Sequence, residues 1–241
     1  SNVGATKIAL SLEPQFMWSM LNQMGFGTPT RIEFPGEVSG RLRSYKTWRP
    51  IEQATMSYGN GISVTLLQLA RAYTVFANDG ELRPVTLIKS KEIPVGQQVL
   101  SPENARSVRD MLETVVQPGG TAVKAQVMGY RVAGKTGTAQ RVDDSCGCYR
   151  GYTASFIGFA PADKPEFVVS VTIQDPKGLH WGGYLGGPVF KKVMSFVLKD
   201  QHIPPTAPAT NSYVLDEKAL KAKIAAAEAV NKSQSRVSTN G

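Results

Sequence analysis

Residues 130–174 constrain the fold most. "YRVAGKTGTAQ", "YTASFIGFAP" and "EFVVSVTIQDP" are β-rich runs separated by turn residues. Strands joined by connections too short for a crossover must pair antiparallel, so this stretch predicts a three-stranded meander. In the middle run Phe156, Gly158 and Ala160 alternate against Ile157 and Phe159. The third run is almost continuously apolar and reads as a buried central strand.

Helical patterns surround these strands. Phe16, Met17, Met20, Leu21 and Met24 fall at helical spacing, with Gly25 as the stop. "GFGTPTRIEFPGEVSGRLRSYKTWRP" is turn-rich and is expected to cross the surface. Thr65 and Gln68 form a capping box ahead of Leu66, Leu69, Ala70, Tyr73 and Phe76. Ser101 caps a second helix with Pro102 in its first turn, and Val108, Met111, Leu112 and Val115 are its inward stripe. A short helix is expected over 121–126. "HWGGYLGGP" reads as a flexible glycine loop, followed by a helix from Pro188 with Val189, Phe190, Val193, Met194 and Val197 inward. The expected class is α/β, a mainly antiparallel sheet with helices on both faces. The folded unit should span residues 1–203. Residues 204–241 form a Pro/Ala/Lys-rich tail, a solvated helix or disordered.

Of the 241 residues 41% are hydrophobic, enough for a sizeable core, and no apolar run is long enough to span a bilayer. No secretory signal is visible, and the chain opens in mid-pattern at "SNVGATKIAL". The formal charge of +8 favours anionic partners. Nucleic acid is discounted: the basic residues are scattered, with no zinc spacing and no base-reading helix. There is no P-loop or dinucleotide fingerprint, so neither cofactor nor metal is implied. Cys146 and Cys148 flank one glycine; a bridge across one residue is geometrically awkward and is not assumed. His180 and His202 lack carboxylate partners in sequence and are read as solvent-facing. Glu13, Glu37 and Glu52 are scattered and signal no glycosidase pair. Trp181 is assigned to packing.

The chemistry concentrates at Lys135-Thr136-Gly137-Thr138. A Lys-[Ser/Thr]-Gly triplet occurs by chance in roughly one chain in ten of this length, so the context matters. On a strand Thr136 and Thr138 share one face, where two hydroxyls can hold a carboxylate. Lys135 adds positive potential if the strand end twists it toward the site. Gly137 would let a substrate backbone lie against the edge, and the Thr138 N–H could donate to an oxyanion. The plain alternative is an edge strand ending in polar residues, with Lys135 solvated.

"KTGTA" resembles the third motif of the penicillin-binding and serine β-lactamase superfamily, and Ser1-Asn2-Val3-Gly4 resembles the end of its second, S-x-N motif. "WRPIEQATMSYGNGISVTLLQLARAY", "PGGTAVKAQVMGYRVAGKTGTAQ" and "GGYLGGPVFKKVM" extend the likeness over about residues 1–203, to class B penicillin-binding proteins of the division-specific type, penicillin-binding protein 3. The resemblance implies the transpeptidase fold with its N-terminal part missing. It also implies a serine-type D,D-transpeptidase that cross-links peptidoglycan stem peptides ending in D-Ala-D-Ala, and is acylated by β-lactams. The implied location is the periplasmic face of the inner membrane, beside divisome proteins. By the same resemblance Asn2 orients the substrate amide, Lys135 supplies positive potential, and Thr136 and Thr138 bind the carboxylate. The Thr138 N–H forms half of the oxyanion hole, and Gly182, Gly183 and Tyr184 shape the rim.

The departures define the rest of the expectation. No S-x-x-K occurs; Thr121-Ala122-Val123-Lys124 is a decoy, and Ser238-Thr239-Asn240 is a chance S-x-N. The nucleophile should lie in the missing N-terminal part, leaving this chain inactive alone. The rivals are a non-catalytic β-lactam sensor, and a β-lactamase or D,D-carboxypeptidase.

Overall fold

A computed structural model describes residues 1–143 and 145–208. The expected tail helix and Ser238-Thr239-Asn240 lie outside the described residues.

The chain begins with helices α1 (Asn2–Leu10) and α2 (Pro14–Gln23). A strand β1 (Arg41–Leu42), helix α3 (Pro50–Met56) and strand β2 (Ile62–Ser63) follow. Then come α4 (Leu66–Ala77), β3 (Glu81–Leu82), β4 (Gln97–Gln98) and α5 (Pro102–Glu113). The C-terminal half holds β5 (Ala133–Asp143), β6 (Cys148–Ala160), β7 (Phe167–Gln174) and α6 (Gly182–Asp200).

Strands β5, β6 and β7 form the expected antiparallel meander, in that order. Its burial differs from expectation. β7 is the outer strand among the described residues and only half-buried, whereas β6 is central. Phe156, Ile157, Phe159 and Ala160 of β6 are buried on both faces. A continuous apolar run marks burial on two faces but not which strand lies in the middle; the order of pairing decides that.

Each face carries its own packing layer. On one, Phe156 and Ala160 meet Phe190, Met194 and Leu198 of α6, with Val116, Ala125 and Val132. On the other, Ala133, Phe159 and Ala162 pack with Tyr73 and Phe76 of α4 and Leu112 of α5. Burying a side chain such as Phe190 or Leu198 contributes about 1.5–3 kcal/mol.

The caps on α4 and α5 form as their sequences dictate. Thr65 Oγ1 accepts from the Gln68 N–H at 3.0 Å, Gln68 Oε1 accepts from the Thr65 N–H at 2.8 Å, and Ser101 Oγ accepts from the Asn104 N–H. The inward stripes need correction. On α4 the buried line is Gln68, Ala72 and Val75, while Leu66 is exposed. Gln68 turns inward because its amide donates to the carbonyls of Thr28 and Ser39, which tether the surface-crossing segment. On α5, Met111 is exposed, and the buried positions are Ala105, Arg109 and Glu113. Both charges are paired: Arg109 Nη2 donates to Asp79 Oδ1 at 2.6 Å, and Arg131 donates to both Glu113 oxygens at 2.6 and 2.9 Å. The second pair clamps α5 to the chain entering β5. On α2 no residue is buried, and Phe16 is exposed.

Locally, one question the sequence leaves open is answered and one expectation fails. Cys146 and Cys148 are disulfide-bonded, with Cα atoms 5.2 Å apart. Gly147 between them has φ +61°, a left-handed conformation that folds the chain back and brings the flanking Cα atoms within bridging range. The glycine segment is not a loop, because α6 already begins at Gly182 and Pro188 lies inside it. Val189 and Val193 of its expected stripe are exposed, and Leu198 is buried instead.

Candidate active site

Strand β5 carries the Lys-Thr-Gly-Thr stretch at the edge of the sheet. Among the described residues it pairs only with β6: Thr136 opposite Phe156, Gly137 opposite Ser155, Thr138 opposite Ala154. Its other edge has no strand partner among the described residues. Phe156 faces α6, so Thr136 shares that face, as does Thr138 two residues on. Thr136 is half-buried and Thr138 exposed.

Helix α6 starts directly against these two side chains, on the Thr138 hydroxyl and the Thr136 methyl. The Gly182 N–H donates to Thr138 Oγ1 at 3.3 Å. Trp181, the residue before the helix, offers no side-chain cap, so Thr138 supplies one from a neighbouring strand. The approach requires glycine. A Cβ on Gly182 would collide with the backbone carbonyls of Ser155 and Gly137, and one on Gly183 with the carbonyl of Thr121. The positive end of a 19-residue helix thus meets the Thr138 hydroxyl, with the Thr136 methyl against Gly183, a setting that favours a bound anion.

Lys135 points to the opposite face of the strand and curls back, its Nζ donating to the Thr136 carbonyl at 2.9 Å. Its ammonium is exposed at the tip, yet the protein crowding it on one side strips water away and pulls its pKa below the usual value. Gly137 has a different reason from the expected one. A Cβ there would meet the Ser155 hydroxyl, which would have to turn aside, so the neighbouring strand favours glycine at this position.

The other expected residues divide. Gly182 and Gly183 sit on the threonines. Tyr184, one step along α6, lies under Lys124 Nζ, 3.6 Å from the ring centroid. Asn2 opens α1, which packs on α3; it is exposed, and among the described residues its side chain makes no hydrogen bond. His180 is not simply solvated: it stacks on Tyr152 at 3.8 Å between centroids and meets Trp181 edge-on. One residue escaped the sequence reading. Thr121, discarded there as part of a decoy, places its Oγ1 3.1 Å from Thr136 Oγ1. No local signal marks it, because the contact joins residues 15 positions apart.

The comparisons with known proteins identify the family. The family model for the penicillin binding protein transpeptidase domain matches residues 1–195. The probable peptidoglycan D,D-transpeptidase PenA of Neisseria flavescens is 42% identical over 213 residues, 88% of this chain and 53% of its own. Peptidoglycan D,D-transpeptidase FtsI of Escherichia coli K12 is 38% identical over 221 residues, 90% of this chain and 38% of its own. The apo transpeptidase domain of Burkholderia pseudomallei penicillin-binding protein 3 superposes with a TM-score of 0.81 at 50% identity, covering 86% of this chain and 64% of that one. The chain spans about half or less of the length of these curated relatives. With a family match over residues 1–195 and relatives about 40% identical, this chain belongs to the penicillin-binding protein transpeptidase family.

Proposed function

We propose that this chain forms the carboxylate-binding wall of a serine-type peptidoglycan D,D-transpeptidase acting in septal cell-wall synthesis. The observation that carries the reading is the pair of hydroxyls, Thr136 and Thr138, on a strand edge that is unpaired among the described residues, with the N-terminus of α6 held on Thr138. A stem peptide lies along that edge as an added strand, with its terminal carboxylate between the hydroxyls. Lys135 raises the positive potential there, and the Thr138 N–H faces the oxyanion. Asn2 orients the substrate amide, and Gly182, Gly183 and Tyr184 form the rim.

No S-x-x-K lies in the chain, so the nucleophilic serine comes from a part of the protein outside these 241 residues. Its Oγ attacks the carbonyl of the D-Ala-D-Ala bond. The terminal D-Ala leaves as a protonated amine and an ester remains on the serine. The amine of a second stem peptide then attacks the ester, giving the cross-link and restoring the hydroxyl. A β-lactam enters the same route and stops at the ester. The enzyme works at the periplasmic face of the inner membrane beside divisome partners. Among the described residues no helix is long and apolar enough to cross a membrane.

The test is covalent labelling of the full-length protein with a fluorescent penicillin, followed by peptide mapping. The label is expected on one serine outside this chain, and this chain alone is expected to remain unlabelled. Label mapped to any residue within it would refute the reading.

A further inference from the structure

The two threonines of β5 are supported differently from behind. Thr138 Oγ1 accepts from the Gly182 N–H, so one lone pair is filled and the hydroxyl proton is left to point outward. Among the described residues no backbone group does the same for Thr136. The atom in the equivalent position is Thr121 Oγ1, at 3.1 Å. We infer that Thr121 is a positioning residue: its hydroxyl donates to Thr136 Oγ1, turns the Thr136 proton toward the ligand, and makes the site selective for ligands with a free carboxylate. This rests on the proposed carboxylate wall.

The placement of Thr121 is built by its surroundings. The Gly120 N–H donates to the Gln117 carbonyl at 2.8 Å, and the Ala122 N–H to the Val115 carbonyl at 2.9 Å. Ala122, just before the short 3-10 turn Val123–Ala125, and Ala125, its last residue, are both buried. The Thr121 carbonyl lies so close to Gly183 that no Cβ fits between them, and Lys124 rests on the Tyr184 ring. The segment is therefore clamped to the first turn of α6, the turn that also holds Thr138. The Thr121 side chain itself is exposed, so its hydroxyl is not needed to fill a core. A hydroxyl chain running from Thr121 through Thr136 to a carboxylate polarises in one direction. Each link strengthens the next, and the terminal hydrogen bond is charge-assisted.

The test compares Thr121→Val, Thr121→Ser and Thr136→Val in the full-length protein. The reading is the second-order acylation rate with a penicillin and with the methyl ester of the same penicillin. Thr121→Val should slow acylation by the acid roughly 5- to 20-fold, the size expected when a charge-assisted hydrogen bond is misaligned. Its effect on the ester should stay within about twofold, since the group that Thr136 addresses has been neutralised. Thr121→Ser, which keeps the hydroxyl, should restore the acid rate. Equal slowing of acid and ester by Thr121→Val, or failure of Thr121→Ser to restore, would show a merely structural role and overturn the inference. If Thr136→Val slows the acid but Thr121→Val does not, the inference falls and the carboxylate wall stands. If Thr136→Val is itself silent, the wall falls and the inference with it.

Discussion

Gly183→Ala isolates the feature on which the site depends, the contact of α6 with the threonine strand. Two effects oppose each other. Replacing glycine by alanine in a helix gains about 1 kcal/mol of propensity. Against that, the new Cβ would sit inside the carbonyl oxygen of Thr121 and 2.9 Å from Thr136 Cγ2. The first obstacle is backbone and cannot swing aside as a side-chain tip could, so the upper part of the overpacking range applies, about 2–3 kcal/mol. The net loss is about 1–2 kcal/mol, which for a unit of this size lowers Tm by about 2–8 °C. Function should suffer more than stability. Relief requires α6 to move outward, and the Gly182–Thr138 hydrogen bond, already 3.3 Å long, would not survive such a shift. Acylation by a penicillin should therefore fall by tenfold or more, measured by stopped-flow fluorescence on the full-length protein alongside a thermal melt. Gly187→Ala is the internal control: on the same helix, its Cβ would meet nothing nearer than 3.3 Å, so propensity and crowding roughly cancel. Equal Tm and acylation for Gly183→Ala and the wild type would refute the reasoning, as would identical losses in the two variants.

Two further outcomes follow from named groups. Lys135→Ala should slow acylation by about 10²–10³-fold, the loss expected of an electrostatic stabiliser, and an unchanged rate would remove Lys135 from the site. Glu52 is held down to about 2 by the Arg49 N–H, then by Arg43, from the ordinary 4.5. A depressed carboxylate contributes stability that is present above the unfolded value and lost as pH falls through the folded one. Acid unfolding followed between pH 4.5 and about 2 should thus be less steep in Glu52→Gln; equal slopes would show that the Arg43 and Arg49 contacts carry no linkage.

How much was legible in the chain varied with the range of the interaction. Thr65 and Gln68, or Ser101 and Asn104, satisfy each other within one turn, so residue type and spacing suffice to place the helix starts. The meander was equally legible, because short connections leave strands only antiparallel neighbours. The KTGT stretch was read correctly as a strand with both threonines on one face, since alternation is a property of the strand itself. Charged Arg109 and Glu113 were missed as buried positions. Their neutralising partners Asp79 and Arg131 lie 30 and 18 residues away, and without them a charge reads as surface.

By itself, then, the sequence determined the strands, the helix caps, the face shared by Thr136 and Thr138, and the family likeness. These are set by local periodicity, hydrogen bonds within a turn, and long collinear text. Only the tertiary structure decided that "GGYLGG" is helix rather than loop, that β6 and not β7 is central, and that Thr121 stands behind Thr136. In isolation four glycines in six residues disfavour a helix. Packed against Ser155, Thr121 and Phe156, they are the residues that let the helix come close enough to be held.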